Sequence, residues 1–241
     1  MKKVLWEELR RPEFDQAVAD NAVVIIPTGS TEQHGVHLPV NTDSNIGFSI
    51  AKRAAEAADD FPILVLPSIW TGYSPMHMTR HGAITLKNNT LVDVLTQVAE
   101  SVYTHGFKKV LFLNSHGGNF GPLAAMRMKL AYESHCPPCL IVMYFQLPSI
   151  PKVVPKVTAE HAGIIETSAQ LYLQPELVDK ESLYWTEGVF GDPSNGTREM
   201  GEQLIKTAAN DLVKVCRDFR DGKRDDGWGW TEEVIVGRKD V

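Results

Sequence analysis

The sequence predicts an α/β protein with a mainly parallel sheet and helices packed on both of its faces, and three observations predict it. Four short apolar runs, "AVVIIP" (22–27), "ILVLPSI" (63–69), "KVLFLN" (109–114) and "LIVMYF" (140–145), are continuous rather than alternating and rich in β-branched residues, as strands covered on both sides are. Segments of helical period separate them, so consecutive strands are joined by right-handed crossovers. Polar segments crowded with turn formers follow the first and third runs, at the carboxyl edge where such sheets bind ligands.

The first strand-like run leads into "PTGSTEQHGVHLPVNTD" (27–43), which packs Glu32, His34, His37 and Asp43 into one short stretch. Between the second and third runs, "NTLVDVLTQVAESVYTHG" (89–106) places Leu91, Val94, Leu95, Val98 and Val102 on one helical face, with Asn89 or Thr90 as cap and Gly106 as stop. The third run opens into "NSHGGN" (114–119), and a helix is expected from about Phe120. A further helical segment carries "EHAGIIETS" (160–168), with His161 and Glu166 at its start and Thr158 as cap. The last one, Glu199 to Arg220, stripes Met200, Leu204, Ile205, Ala208, Leu212, Val215 and Phe219 as a core face. The tail "RDDGWGWTEEVIVGRKDV" reads as a surface arm packed on a neighbouring subunit.

A length of 241 residues with 43% hydrophobic residues suits one domain, expected to span 1–241. The formal charge of −6 and scattered lysines and arginines leave no basic face for a nucleic-acid backbone. No run approaches the roughly 20 apolar residues of a membrane span, and "MKKVLWEELRRPEF" reaches acidic residues early, so a cytoplasmic protein is expected. Three cysteines are too few for a disulfide framework. "CPPC" (136–139) has redox spacing but precedes a strand, and a plain loop-and-strand start is the simpler interpretation.

Glu32 and His34 are two apart, so in extended chain both point to one side. With Asp43 and His116 they assemble carboxylates and imidazoles, a donor set for zinc, manganese or ferrous iron rather than calcium, and one without thiolates suits a catalytic site. Gly117 and Gly118 leave room for a ligand near the backbone, where the following helix would aim free N–H groups. His161 is a candidate general acid or base. Taken singly, Glu160 is a solvated helix-start charge and His161 a satisfied structural histidine.

These motifs resemble the signature segments of the creatininase (creatinine amidohydrolase) family, and "GVFGDPSNGTREMG" (188–201) resembles its C-terminal motif. The resemblance runs from about Trp6 to Gly201 and implies a three-layer α/β/α sandwich, one or two divalent ions (Zn or Mn, with Fe also possible) at the strand ends, and homo-oligomers, commonly hexamers. By position it implies Glu32, His34, Asp43 and His116 as metal ligands, with Asp43 bridging, and carries His161 and Glu166 into the third motif. Creatininases have a glutamate two residues after the histidine of the second motif, where this chain has Gly118, and Glu166 is the expected substitute ligand. They also place tryptophan before the third motif, whereas "PKVVPKVTAE" (151–160) has none, which argues against creatinine itself as substrate. In "GYSPMHMTRHGAITL" (72–86), His77 keeps the family position, but Arg80 and His81 replace an apolar pair.

The expected activity is hydrolysis of a small polar carbonyl substrate by metal-activated water. His161 or Glu160 would protonate the departing group, and His77, Arg80, His81, Gly117, Gly118 and Asn119 would contact substrate. Cleavage of a C–N bond in a cyclic amide or formamide is the first expectation, and C–C cleavage opening a diketo-inositol ring the alternative. Two rivals from another class are a nucleotide-binding module, which lacks a P-loop lysine or GxGxxG fingerprint, and a structural metalloprotein without turnover.

Overall fold

The computed structural model describes residues 2–154 and 160–224. In chain order its elements are α1 (Arg11–Ala19), β1 (Val23–Thr28), α2 (Thr42–Ala57), β2 (Ile63–Val65), α3 (Asn88–Thr104), β3 (Lys109–Asn114), α4 (Phe120–Tyr132), β4 (Leu140–Met143), α5 (Ile150–Val153), α6 (Ile164–Leu173) and α7 (Arg198–Arg220). The four strands make one wholly parallel sheet in the order β2-β1-β3-β4.

The continuous apolar runs exist because each strand buries alternate side chains in two separate cores. Val23 and Ile25 of β1 join Leu111 and Leu113 of β3 against Ile46 and Ile50 of α2 and Leu204, Ile205 and Leu212 of α7. Val24, Ile26, Val110 and Phe112 point the other way, onto Leu91 and Leu95 of α3 and Leu123 and Met126 of α4. That makes three layers, α/β/α. Each large aliphatic side chain withdrawn fully from water contributes about 1.5–3 kcal/mol. Phe112, wholly buried in the second core, would lose about 3–5 kcal/mol on truncation to alanine.

Several element ends differ from the sequence expectation. The second strand stops at Val65, because Pro67 has no N–H to offer the ladder, and Ile69 rejoins β1 only through an isolated bridge to Thr28. The fourth ends at Met143, and Tyr144–Gln146 turn as a 3-10 segment. Helix α3 starts at Asn88, with Lys87 at the cap position and no side-chain cap bond, so neither Asn89 nor Thr90 caps it. Leu91, Leu95 and Val102 of its stripe are buried, Val98 is half-buried and Val94 is exposed, and Gly106 follows its end at φ +93°. Thr158 and residues 225–241 lie outside the described residues. Among the described residues, no helix is long and apolar enough to cross a membrane.

Candidate metal centre

Neighbouring strands β1 and β3 end together, Thr28 paired with Asn114. The chain then leaves them on opposite sides of the sheet: α2 packs in the first core, α4 in the second. A crevice opens where connections diverge in this way. The loop after β1 delivers Glu32 and His34, the first turn of α2 delivers Asp43, and the segment after β3 delivers His116. All four are at most 5% exposed, which is rare for such polar groups unless they are paired or hold an ion.

Asp43 is the hub. Its Oδ1 lies 3.2 Å from His34 Nε2, and its Oδ2 lies 3.3 Å from His116 Nδ1. The same His116 nitrogen is 3.1 Å from Glu32 Oε2. Glu166, from the first turn of α6, brings Oε2 to 3.6 Å from His34 Nε2. Each imidazole is oriented by its other nitrogen. His116 Nε2 faces the Tyr73 carbonyl at 3.1 Å and the Ser74 hydroxyl at 3.0 Å; His34 Nδ1 faces the Glu32 carbonyl at 3.1 Å. His161 Nε2 donates to the Gln33 carbonyl at 2.7 Å, which turns Nδ1 toward Glu32 Oε1 at 3.5 Å. Backbone carbonyls that fix imidazole tautomers in this way are the usual support of metal-binding histidines.

The protonation pattern follows from the crowding. Burial works against charge on His34 and His116, but Asp43 with Glu166 or Glu32 outweighs it and holds them up at about 9 and about 10. Burial likewise opposes charge on Asp43, yet those two imidazoles keep its carboxyl well below the usual range, and His116 leaves Glu32 lowered as well. Burial without enough counter-charge does the reverse elsewhere: it lifts Glu166 to about 8 and Glu160 to about 7, and drops His161 to about 4. The cluster thus holds its two carboxylates against two protons that a cation would displace.

The donor set fits a divalent cation. Glu32–His34–Asp43, His34–His161–Glu166 and Glu32–His77–His161 each bring one ligand atom per residue within 4.8 Å of one another. His34 Nε2 and Asp43 Oδ2 are buried with no hydrogen-bond partner, as atoms aimed at an ion would be. Mixed carboxylate and imidazole donors suit zinc, manganese or iron.

The structure brings together Glu32, His34, Asp43, His116, His161, Glu166 and His77, and redistributes the other predicted residues. His161 stands in a bridge to Phe190 ahead of α6 rather than on the helix, and Ala162 after it takes φ +55°. Glu160 is not solvated. Its Oε1 accepts the Ile165 and Glu166 N–H groups at 2.7 and 3.2 Å, and its buried Oε2 has no partner. Asn119 lines neither cavity at the site, and both ends of its amide are spent: Oδ1 accepts from Tyr73 N, and Nδ2 donates to Gly29 O and Asn114 Oδ1. His81 is exposed and lines neither cavity at the site. Gly117 is open, but a Cβ on Gly118 would sit 2.3 Å from the Tyr73 carbonyl oxygen and 2.4 Å from His116 Nε2, so no side chain fits there.

Three contributors were not expected. Gln33 Nε2 lies 2.9 Å from His77 Nδ1 and donates to Gly188 O at 2.9 Å. The Ser74 hydroxyl donates to Glu32 Oε2 at 2.5 Å. Tyr144 lines a cavity that Glu32, Asp43 and His116 also border. Its place just after β4 was the available signal, since ligands gather beyond strand ends. For Gln33 and Ser74 the only hint was proximity to motif histidines.

With that geometry established, the chain can be set beside known proteins. It is 29% identical to the mycofactocin precursor peptide peptidase of Mycolicibacterium smegmatis (83% of this chain, 87% of the relative) and 29% identical to creatinine amidohydrolase of Pseudomonas putida (90% and 97%). It is 30% identical to the 3-dehydro-scyllo-inosose hydrolase of Thermotoga maritima over 76% of this chain and 60% of that one. Among solved structures, a manganese form of creatininase superposes with TM-score 0.79 at 23% identity, covering 90% of this chain and 98% of the other, and shares the fold. A mutant creatininase of the Zn-Zn type gives 0.78 at the same identity and coverage. The creatininase (creatinine amidohydrolase) profile matches residues 7–216, and the chain therefore belongs to the creatininase family of hydrolases.

Proposed function

We propose that the chain is a divalent-metal amidohydrolase that cleaves a C–N bond in a small carbonyl substrate. The observation that carries this is the split of Asp43, whose two oxygens face two different imidazoles. It supports a centre in which Asp43, His34, Glu166, Glu32 and His116 would hold one or two divalent ions, zinc or manganese. When bound, such ions polarise a carbonyl and make water acidic enough to attack near neutral pH.

The chain's own groups do the rest. Glu160 retains a proton near neutrality, because burial lifts it to about 7, and it borders both cavities at the site, from where its carboxyl passes that proton to the departing nitrogen. His161, expected as the donor, is held neutral by burial and the nearby His34, so its Nδ1 serves as a ligand and its Nε2–H remains on Gln33. The open backbone at Gly117 offers an amide to the carbonyl oxygen, a contact worth about 3 kcal/mol where well placed.

Two of the three relatives above are named for amide or peptide cleavage, which favours C–N over C–C scission. Exposed Trp70, Trp185 and Phe190 support assembly with further copies of the chain. The test pairs elemental analysis with assays of metal-loaded and chelator-treated protein on cyclic amides, formamides and a cyclic 1,3-diketone. Asp43→Ala and His116→Ala should lose metal and turnover together while staying folded. Full metal content in either variant would show the ligand assignment to be wrong, and turnover of the diketone alone would move the reaction to carbon–carbon hydrolysis.

A further inference from the structure

Two cavities meet at the candidate centre, and they differ in character. Both are bordered by Glu32, His116, Gly117, Glu160 and His161, so a bond reacting there has one limb on each side. The inner cavity, about 300 Å³, is walled by Tyr144, Phe145, Ile150, Pro151 and Ile165, and no lysine or arginine lines it among the described residues. Among the described residues an anion placed there would meet no cationic side chain, only the carboxylates of Glu32, Asp43, Glu160 and Glu166, so a neutral limb suits it better. The outer cleft, about 570 Å³, is open and carries, among the described residues, one permanently charged cation, Arg80.

Arg80 is placed for recognition. Its Nε lies 3.0 Å from the point a Cβ would occupy on Gly188, which takes φ +93°, so only glycine lets the guanidinium lie across that turn. Its one acidic partner in the structure is Glu187, at 2.8 Å, whose side chain is 89% exposed. Such a surface pair is weak and readily exchanged for a ligand carboxylate held by the planar fork.

We propose that the substrate is an amide with two unlike limbs: a compact neutral apolar group seated in the inner cavity, and a carboxylate-bearing limb lying in the outer cleft on Arg80. This rests on the amidohydrolase function proposed above and makes Arg80 the specificity-determining residue. Hydrolysis adds water across the C–N bond, the hydroxyl going to the acyl carbon and a proton to nitrogen, so one product is an amine and the other a carboxylic acid.

The test uses the full chain loaded with its own metal. N-phenylacetylglycine and the reversed amide of phenethylamine and succinate carry the proposed chemistry in the two polarities, and N-methylphenylacetamide lacks the carboxylate. The better acid should exceed the neutral amide about 10-fold or more in kcat/KM, and Arg80→Ala should reduce that ratio to about twofold or less, through the KM of the acid. A binding readout separates this inference from the function beneath it. The ketone isostere of N-phenylacetylglycine, with a methylene in place of nitrogen, should bind by calorimetry about 10-fold tighter than its analogue without the carboxylate, and Arg80→Ala should equalise them. Arg80-dependent binding without turnover of any amide would uphold the substrate inference and sink amide hydrolysis. Equal binding of both isosteres, or equal loss of both activities in Arg80→Ala, would overturn the inference itself.

Discussion

Glu166 and His34 come from different motifs, yet Glu166 Oε2 stands 3.6 Å from His34 Nε2 and is steadied by the Ala162 N–H at 2.6 Å. That position supplies a carboxylate near His34, while Gly118 supplies none. Glu166→Gln keeps the size of the side chain and removes the charge. It should lower metal content by about one ion per chain and activity by about 100-fold, with an unchanged circular dichroism spectrum. Elemental analysis of the purified variant checks it, and unchanged stoichiometry would remove Glu166 from the ligand set.

Gly118 is fixed by close packing against the Tyr73 carbonyl and the His116 ring. Gly118→Ala should therefore destabilise the fold by about 1–3 kcal/mol and weaken metal binding by displacing His116. Gly118→Glu, which writes the creatininase residue into this position, should fare worse rather than gain a ligand. Thermal unfolding and metal titration of both variants decide the matter; a Gly118→Glu protein that binds metal more tightly would refute the packing argument.

Glu13 closes the first turn of α1, accepting the Arg10 N–H at 2.7 Å and pairing with Lys3 Nζ at 2.9 Å. The Lys3 bond first, and then Arg10, hold its carboxyl at about 2 against an ordinary 4.5. Because the folded value is depressed, the stabilisation is complete above the ordinary value and disappears as pH falls through about 2. Glu13→Gln should thus lower Tm at neutral pH, and its gap from the parent should close between pH 4.5 and 2. Calorimetry at stepped pH measures that gap, and one that stays constant across the window contradicts the role.

The "CPPC" cysteines are not poised for redox chemistry. Burial in the second core pushes the Cys139 thiol up to about 12, Cys136 is raised as well, and Cys216, on the face of α7 buried in the first core, is shifted further still. Thiolate is the reactive form, so native protein at pH near 8 should label slowly, at Cys136 first, whereas all three thiols should react promptly in denaturant. Rapid labelling of Cys139 in folded protein would reopen a redox role.

The sequence alone determined the sheet and the kind of chemistry available. Val23, Ile25 and their alternates Val24 and Ile26 had to be apolar because helices cover both faces of a parallel sheet, so burial is written locally into each run. The strand-end rule then marked Glu32, His34, Asp43 and His116, since polar groups concentrated after buried strands have few other uses. Local pattern could not give side-chain direction across chain-distant segments. Asn119 looked like a substrate contact and became a clamp on Tyr73, Gly29 and Asn114; His81 looked equivalent to Arg80 and lines neither cavity at the site. Tertiary structure alone decided that Glu166 meets His34, that the Gln33 carbonyl fixes the proton on His161, and that Tyr144 and Arg80 line different sides of one reacting centre. These depend on where loops and α6 come to rest, which is set by the packing of whole layers and not by any short stretch of residues.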